Sequence, residues 1–153
     1  MKKLLIILLT GVLPLAAFTQ HNLKKQSLPI VKFDKHIDDP LTDKERNQII
    51  EVYGEYADKY ILKDDHRLRA IKQILRYRIV IKEIIEKNTA KTCSKLSEIS
   101  LFNKYVSNLK RDEYFNPKDF NPLKYNFEFY SNSASIVKID GTNYYIIIKS
   151  QYQ

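Results

Sequence analysis

Cysteine is almost absent. Cys93 is the only one in 153 residues, so no intramolecular disulfide can form and packing alone must hold the fold. A lone thiol in an oxidising compartment can pair with another chain or act as a nucleophile beside a histidine, but its ordinary place is as a small buried hydrophobe. Glycine is nearly as scarce: Gly11, Gly54 and Gly141 are the whole supply. A dinucleotide-binding loop needs three glycines in one short stretch, and a P-loop needs two. Neither is present, and no G-x-S-x-G elbow exists. Histidine occurs three times, at His21, His36 and His66. There is no H-E-x-x-H, and the residues three before each histidine are Phe18, Phe33 and Lys63, which excludes the E-x-x-H of di-iron bundles. Asp34, Asp38 and Asp39 near His36, and Asp64 and Asp65 before His66, have no recurring ligand spacing. No metal and no cofactor is expected.

Acid is missing from the start of the chain, where nothing acidic precedes Asp34. Lys2 and Lys3 form a positive n-region, and Leu4 to Phe18 an apolar h-region interrupted by Gly11 and Pro14. Ala17 and Thr19 are the small residues that signal peptidase requires, which sets cleavage before Gln20. The apolar stretch is shorter than the roughly 20 residues that span a bilayer. No twin arginine marks the folded-protein export route, and no cysteine offers a lipid attachment point. The expectation is a bacterial-type signal peptide over 1–19 and a mature protein that is secreted or periplasmic and not integral to the membrane.

What remains is basic. The full chain carries 26 Lys and Arg against 18 Asp and Glu, a formal charge of +8, which falls to +6 without Lys2 and Lys3. Such a surface favours an acidic partner, an envelope component or a protein. Nucleic acid is not expected as a partner of an exported chain. Residues 20–40 lack sustained periodicity and read as an extended or flexible arm, with Leu28–Phe33 able to lie as a strand or staple against the core.

Residues 41–153 read as one small α+β domain, a length sufficient for a real core. Thr42 and Glu45 match a capping box at the head of a helix over roughly 42–62, with Ile49, Tyr53, Tyr56 and Tyr60 as its stripe, widened by Ile50, Ala57 and Ile61. Gly54 lies inside this helix, where it costs up to about 1 kcal/mol relative to alanine. Asp64 or Asp65 caps a second helix over 65–87, apolar through Leu68, Ile71, Ile74, Leu75, Ile81, Ile84 and Ile85. The β-branched run Ile79-Val80-Ile81 suits a strand, but the charges at helical spacing around it favour helix. A third helix is expected over 94–110, with Leu96, Ile99, Phe102, Val106 and Leu109 on one face. The period then drops to two. Strands are expected over 123–130, 135–140 and 144–150, the last two joined by the turn Asp140-Gly141-Thr142-Asn143. The architecture is three helices packed on a three-stranded antiparallel meander.

Three groups of residues carry candidate chemistry. Tyr130 with Tyr144 or Tyr145 should face away from the side built by Phe127 and Phe129, giving an exposed tyrosine patch on the sheet near Lys124 and Lys138. The alternative is that the N-terminal arm covers it. Arg69, Lys72 and Arg76 fall at helical spacing; they either meet an anionic surface or pair with Glu51, Glu55 and Asp58 of the first helix. Glu51 and Glu55 share a helix face as paired carboxylates would, although a Glu55–Lys59 pair explains them as well. No complete catalytic motif emerges, and a non-enzymatic interaction protein is the reading these features favour. The alternatives are a small secreted hydrolase using His66, Cys93 or the carboxylate pair, and an inhibitor or immunity-type protein.

Overall fold

The computed structural model describes residues 33–85 and 93–152. The leader and the arm through Lys32 lie outside the described residues, so the cleavage site and all of the Leu28–Phe33 staple except Phe33 do as well.

The Thr42 capping box forms as the sequence implies. Its hydroxyl accepts from the Glu45 amide at 3.2 Å, and Glu45 Oε2 accepts from the Thr42 amide at 2.9 Å. Helix α1 then runs over Asp43–Tyr53. It is shorter than expected because Gly54 sits at φ +53°, which side chains of L-residues rarely adopt, and so ends the α-helical ladder. A Cβ there would also stand 3.1 Å from Val106 Cγ2. The chain continues as a 3₁₀ turn, Gly54–Tyr56, and a wide π turn, Asp58–Leu62. This keeps Ile61 inside and Tyr53, Tyr56 and Tyr60 on one side. Ile50, expected in the buried stripe, is exposed.

Helix α2, Asp65–Gln73, is capped by Asp64, whose carboxylate accepts from the Arg67 amide at 3.0 Å. It widens into a π turn over Ile74–Arg78 and stops. The expected helix to residue 87 is therefore corrected. Ile79–Glu83 is strand β1, paired antiparallel with β4, Tyr144–Ile148. The β-branched run decides locally because Ile79 and Ile81 find Ile148 and Ile146 as register partners, and stiff branched side chains pack well on a pleated surface.

The third helix does not form. Ser94–Lys95 is a short strand, β2; Leu96–Glu98 is a 3₁₀ turn; and no helix follows through Lys110. Ser94, Ser97, Ser100, Asn103, Ser107 and Asn108 are poor helix formers that compete for the backbone. The segment instead bonds to a later one: the Phe102 amide donates to the Lys124 carbonyl at 2.7 Å, and the Asn126 amide donates to the Ser100 carbonyl at 2.9 Å. Its apolar residues still face inward, but from loops.

Strand 123–130 is also corrected. Pro122–Lys124 is a 3₁₀ turn, and only Tyr125 makes a bridge, to Leu101. The Phe127 and Phe129 amides close two-residue turns onto the Tyr125 and Phe127 carbonyls, each at 2.8 Å. The backbone is satisfied locally, and the rings stack rather than alternate along a ladder: Phe120–Tyr125 at 5.4 Å and Tyr125–Phe127 at 5.6 Å between centroids.

The hairpin between β3, Ser135–Lys138, and β4 is as expected, with Gly141 at φ +67° in its turn. The sheet has four strands in the order β1-β4-β3-β2, and β2 runs parallel to β3, so it is mixed rather than an antiparallel meander. The protein is thus α+β, with helices followed by a four-stranded mixed sheet. No helix among the described residues is long and apolar enough to cross a membrane.

Two clusters form the core. Val137, Ile139, Ile146 and Ile148 of the sheet pack on Leu96 and the Phe120–Phe127 rings. Ile49 and Val52 of α1 pack on Ile71 and Ile74 of α2 and on Leu123. Buried polar groups stitch the layers. Asn121 donates to the Gln48 carbonyl and to Glu51 Oε2 at 2.8 Å. The Lys124 ammonium, its side chain 5 % exposed, lies 2.5 Å from Asp112 and 3.2 Å from Glu51. Burial pushes the Lys124 pKa down, but its bonds to Asp112 and Glu51 outweigh this and hold it above the ordinary lysine value.

Candidate functional site

The residues expected to act fall into three separate places. Tyr144 points to the core side of the sheet, its ring 5.5 Å from Phe115. Its neighbour Tyr145 lies on the opposite face, as strand alternation requires. There it is flanked in register by Lys82 of β1 and Lys138 of β3, with the Lys138 ammonium 5.8 Å from its ring. Lys124, expected near the tyrosine patch, is buried instead. Tyr130 is 64 % exposed but lies in the turn after the aromatic segment, beside the two helices.

Arg69, Lys72 and Arg76 share a face of the second helical run, and each has a partner within the fold. Arg76 grips Glu45 with two bonds of 2.6 and 2.8 Å, and donates to the carbonyls of His36 and Pro40 at 2.9 and 2.8 Å. Lys72 is buried and donates to the Asp39 carbonyl at 2.7 Å. Arg69 Nε lies 3.1 Å from Asp38 Oδ1 without hydrogen-bond alignment, and its guanidinium covers the Phe33 ring at 5.0 Å. The carboxylates they meet are Asp38 and Glu45, not Glu51, Glu55 or Asp58. Together with buried Ile37, they tie residues 33–40, read from sequence as part of an arm, onto α2. The hydrogen bond from Arg76 holds the Glu45 carboxyl below the usual carboxylate range, although burial acts in the opposite sense.

The side chains proposed for hydrolysis do not meet in any of the four cavities described: His66 lines one, and Cys93, Glu51 and Glu55 line none. Glu51 is bound to Asn121 and Lys124, whereas Glu55 is exposed.

One arrangement the sequence did not reveal is a tyrosine cluster. Tyr53, Tyr56 and Tyr60 project from the end of α1 and the turns after it. Tyr105, from the segment expected to be helical, closes on all three, with centroid distances of 5.0, 5.7 and 5.4 Å. The 3-4 spacing of the first three was legible; the arrival of Tyr105 was not, because a loop delivers it. Tyr53, Tyr60 and Tyr105 line an open groove of about 410 Å³ with Tyr130, His66 and Arg67. A second cavity of about 230 Å³ adjoins it, sharing Tyr53, Ile71 and Tyr130 and also lined by Phe102, Phe127 and Phe129. Burial, then the neighbouring Tyr130 and Tyr105 hydroxyls, push the Tyr53 phenol up to about 12, so it stays protonated as a donor at neutral pH.

Cations border the groove. Arg67 stands 5.9 Å from the Tyr60 ring centre, Lys59 5.3 Å from the same ring, and Lys104 5.5 Å from the Tyr105 ring. Arg67 has Asp64 at 3.3 Å; Lys59 and Lys104 have no carboxylate within 4.0 Å among the described residues. Arg78 is 4 % exposed, donates to the Lys149 carbonyl at 3.0 Å, and lines none of the four cavities described. It too has no carboxylate partner among the described residues, and burial lowers its pKa. No group of histidine, cysteine, aspartate and glutamate among the described residues is placed to hold a metal ion.

The chain matches no protein-family model, no curated protein and no solved structure.

Proposed function

We propose that the protein is an exported, non-enzymatic interaction protein, and that the groove lined by Tyr53, Tyr60, Tyr105 and Tyr130 is its recognition surface. The observation that carries this reading is the convergence of four tyrosines from three separate parts of the chain on one open concavity. Tyrosine supplies large, rigid contact area and a polar tip at low entropic cost, which is why it concentrates at recognition sites. A purely structural cluster would bury Tyr130, which stands 64 % exposed. The leader supports export, with cleavage near Thr19 and Gln20 and action in the periplasm or outside the cell. The basic net charge supports an acidic envelope component or protein as partner.

The test is retention of the mature protein on envelope fractions at low salt. The wild type is expected to be retained and to elute as salt rises, and Tyr105→Ala with Tyr130→Ala to reduce retention at least about tenfold, as loss of aromatic anchors does. Equal retention of the double variant, folded by circular dichroism, would remove the groove from the reading.

A further inference from the structure

We infer that the groove takes an acidic segment of a partner protein that carries one large apolar side chain. This rests on the reading of the groove as the recognition surface, and goes beyond it by naming what binds.

The inference stands on two features of different chemistry placed side by side. The adjoining cavity is mainly apolar: Phe102, Phe127 and Phe129 line it, and it shares Tyr53, Ile71 and Tyr130 with the groove. A side chain seated there would leave water for a ring-lined space of about 230 Å³. That is the environment in which a single anchor residue supplies most of the binding energy of an interface. Arg67 is the one cation among the described side chains that line the two cavities, and no carboxylate is among them. Lys59 and Lys104 stand over Tyr60 and Tyr105 without carboxylate partners among the described residues. A cation without a counterion beside such a groove favours an arriving carboxylate. An aromatic or long aliphatic side chain flanked by Asp or Glu matches both features. An acidic polysaccharide has the charge but no anchor, and a fatty acid has the anchor but a single carboxylate for several cations. A second copy of this chain is disfavoured by a formal charge of +6 on each once Lys2 and Lys3 are removed.

The experiment uses the mature protein and fluorescein-labelled peptides drawn from a synthetic library, each with one central Phe, Leu or Tyr and Asp or Glu at most flanking positions. Binding is read by fluorescence anisotropy. At least one peptide is expected to bind with an affinity that falls as salt rises. Replacing its central residue by Ala should weaken binding at least about tenfold. Replacing its acids by Asn and Gln should do the same. Lys59→Glu and Lys104→Glu, both at exposed positions, should each weaken it about two- to fivefold, the effect of one rim charge, with the circular dichroism spectrum unchanged. Binding that is indifferent to the anchor, or to the acids, overturns the inference, as does a library with no binder. So does displacement by oleate or polygalacturonate at affinities above that of every peptide. If the peptides fail while Tyr105→Ala and Tyr130→Ala still abolish envelope retention, the partner class is wrong and the groove stands. If retention ignores those substitutions, the groove itself is wrong.

Discussion

Arg76 closes two kinds of contact with one guanidinium. It neutralises Glu45, with both side chains largely buried, and it donates to the carbonyls of His36 and Pro40. Removing one member of such a pair leaves the other desolvated and unpaired, a loss of about 3–5 kcal/mol for a fully buried pair and less for one at the edge of the core. Arg76→Met is accordingly expected to destabilise by about 2–3 kcal/mol at neutral pH, read from the urea midpoint. The deficit should depend on pH in a defined sense. Arg76 depresses the folded-state pKa of Glu45 below its ordinary 4.5. The stabilisation is therefore present above that ordinary value and is lost as pH falls through the depressed one. Wild type and variant should converge in stability as the solution is acidified; a constant gap down to the acid limit would show that the pair is not its source. Tyr53 gives the opposite case. Its folded pKa, near 12, lies above the ordinary 10, so its contribution is complete below 10 and is lost as pH rises toward 12. Alkaline titration followed by tyrosinate absorbance should show one tyrosine ionising late, and Tyr53→Phe should remove that step.

At the scale of elements, the segment 79–83 is where sequence and structure diverge most usefully. Wide apolar coverage and helical charge spacing favoured a helix through residue 87; three consecutive β-branched residues pointed to the strand that forms. What decides is a partner distant in sequence: Ile146 and Ile148 of β4, which local periodicity does not contain. The same reason explains 94–110 and 123–130. Leu96, Phe102, Tyr125 and Phe127 were recognisable as inward-facing, yet they reach the core from loops paired to one another, and period alone cannot report that. Signals that act within four residues were legible: the Thr42–Glu45 box, the Asp64 cap, and the Asp140-Gly141 hairpin turn. Of the proposed groove, Tyr130 and the Tyr53 and Tyr60 stripe could be read directly, whereas Tyr105 and the cations beside the rings depend on how loops pack. The strand assignment has a direct consequence for amide exchange. The Lys149 and Ile84 amides donate to the Arg78 and Asn143 carbonyls at 2.8 and 2.9 Å, which places Val80 and Lys82 on the bonded side of β1 and Ile81 and Glu83 on its outer edge. Exchange measured by NMR should therefore alternate, slow at Val80, Lys82 and Ile84 and fast at Ile81 and Glu83. Uniform protection across the five would fit a helix and contradict the pairing.

For the whole molecule, one basic surface serves two ends. On one side of α2, Arg69, Lys72 and Arg76 hold residues 33–40 in place. At the other, Arg67 lines the tyrosine groove and Lys59 and Lys104 lie beside its rings, with charge that the described residues only partly neutralise. The first set ties the fold together, and the second is the one the proposed function assigns to a partner, so net charge alone could not separate them. The claim that the groove is where the protein acts is tested most directly by site-specific photocrosslinking in producing cells. A benzophenone amino acid replaces Tyr130, at the mouth of the groove, or Tyr114, which is 81 % exposed and lines no cavity described. The account predicts a discrete crosslinked protein adduct from position 130 that is absent from position 114 and is lost when Tyr105→Ala is added. No adduct at 130, or the same adducts from both positions, would contradict it.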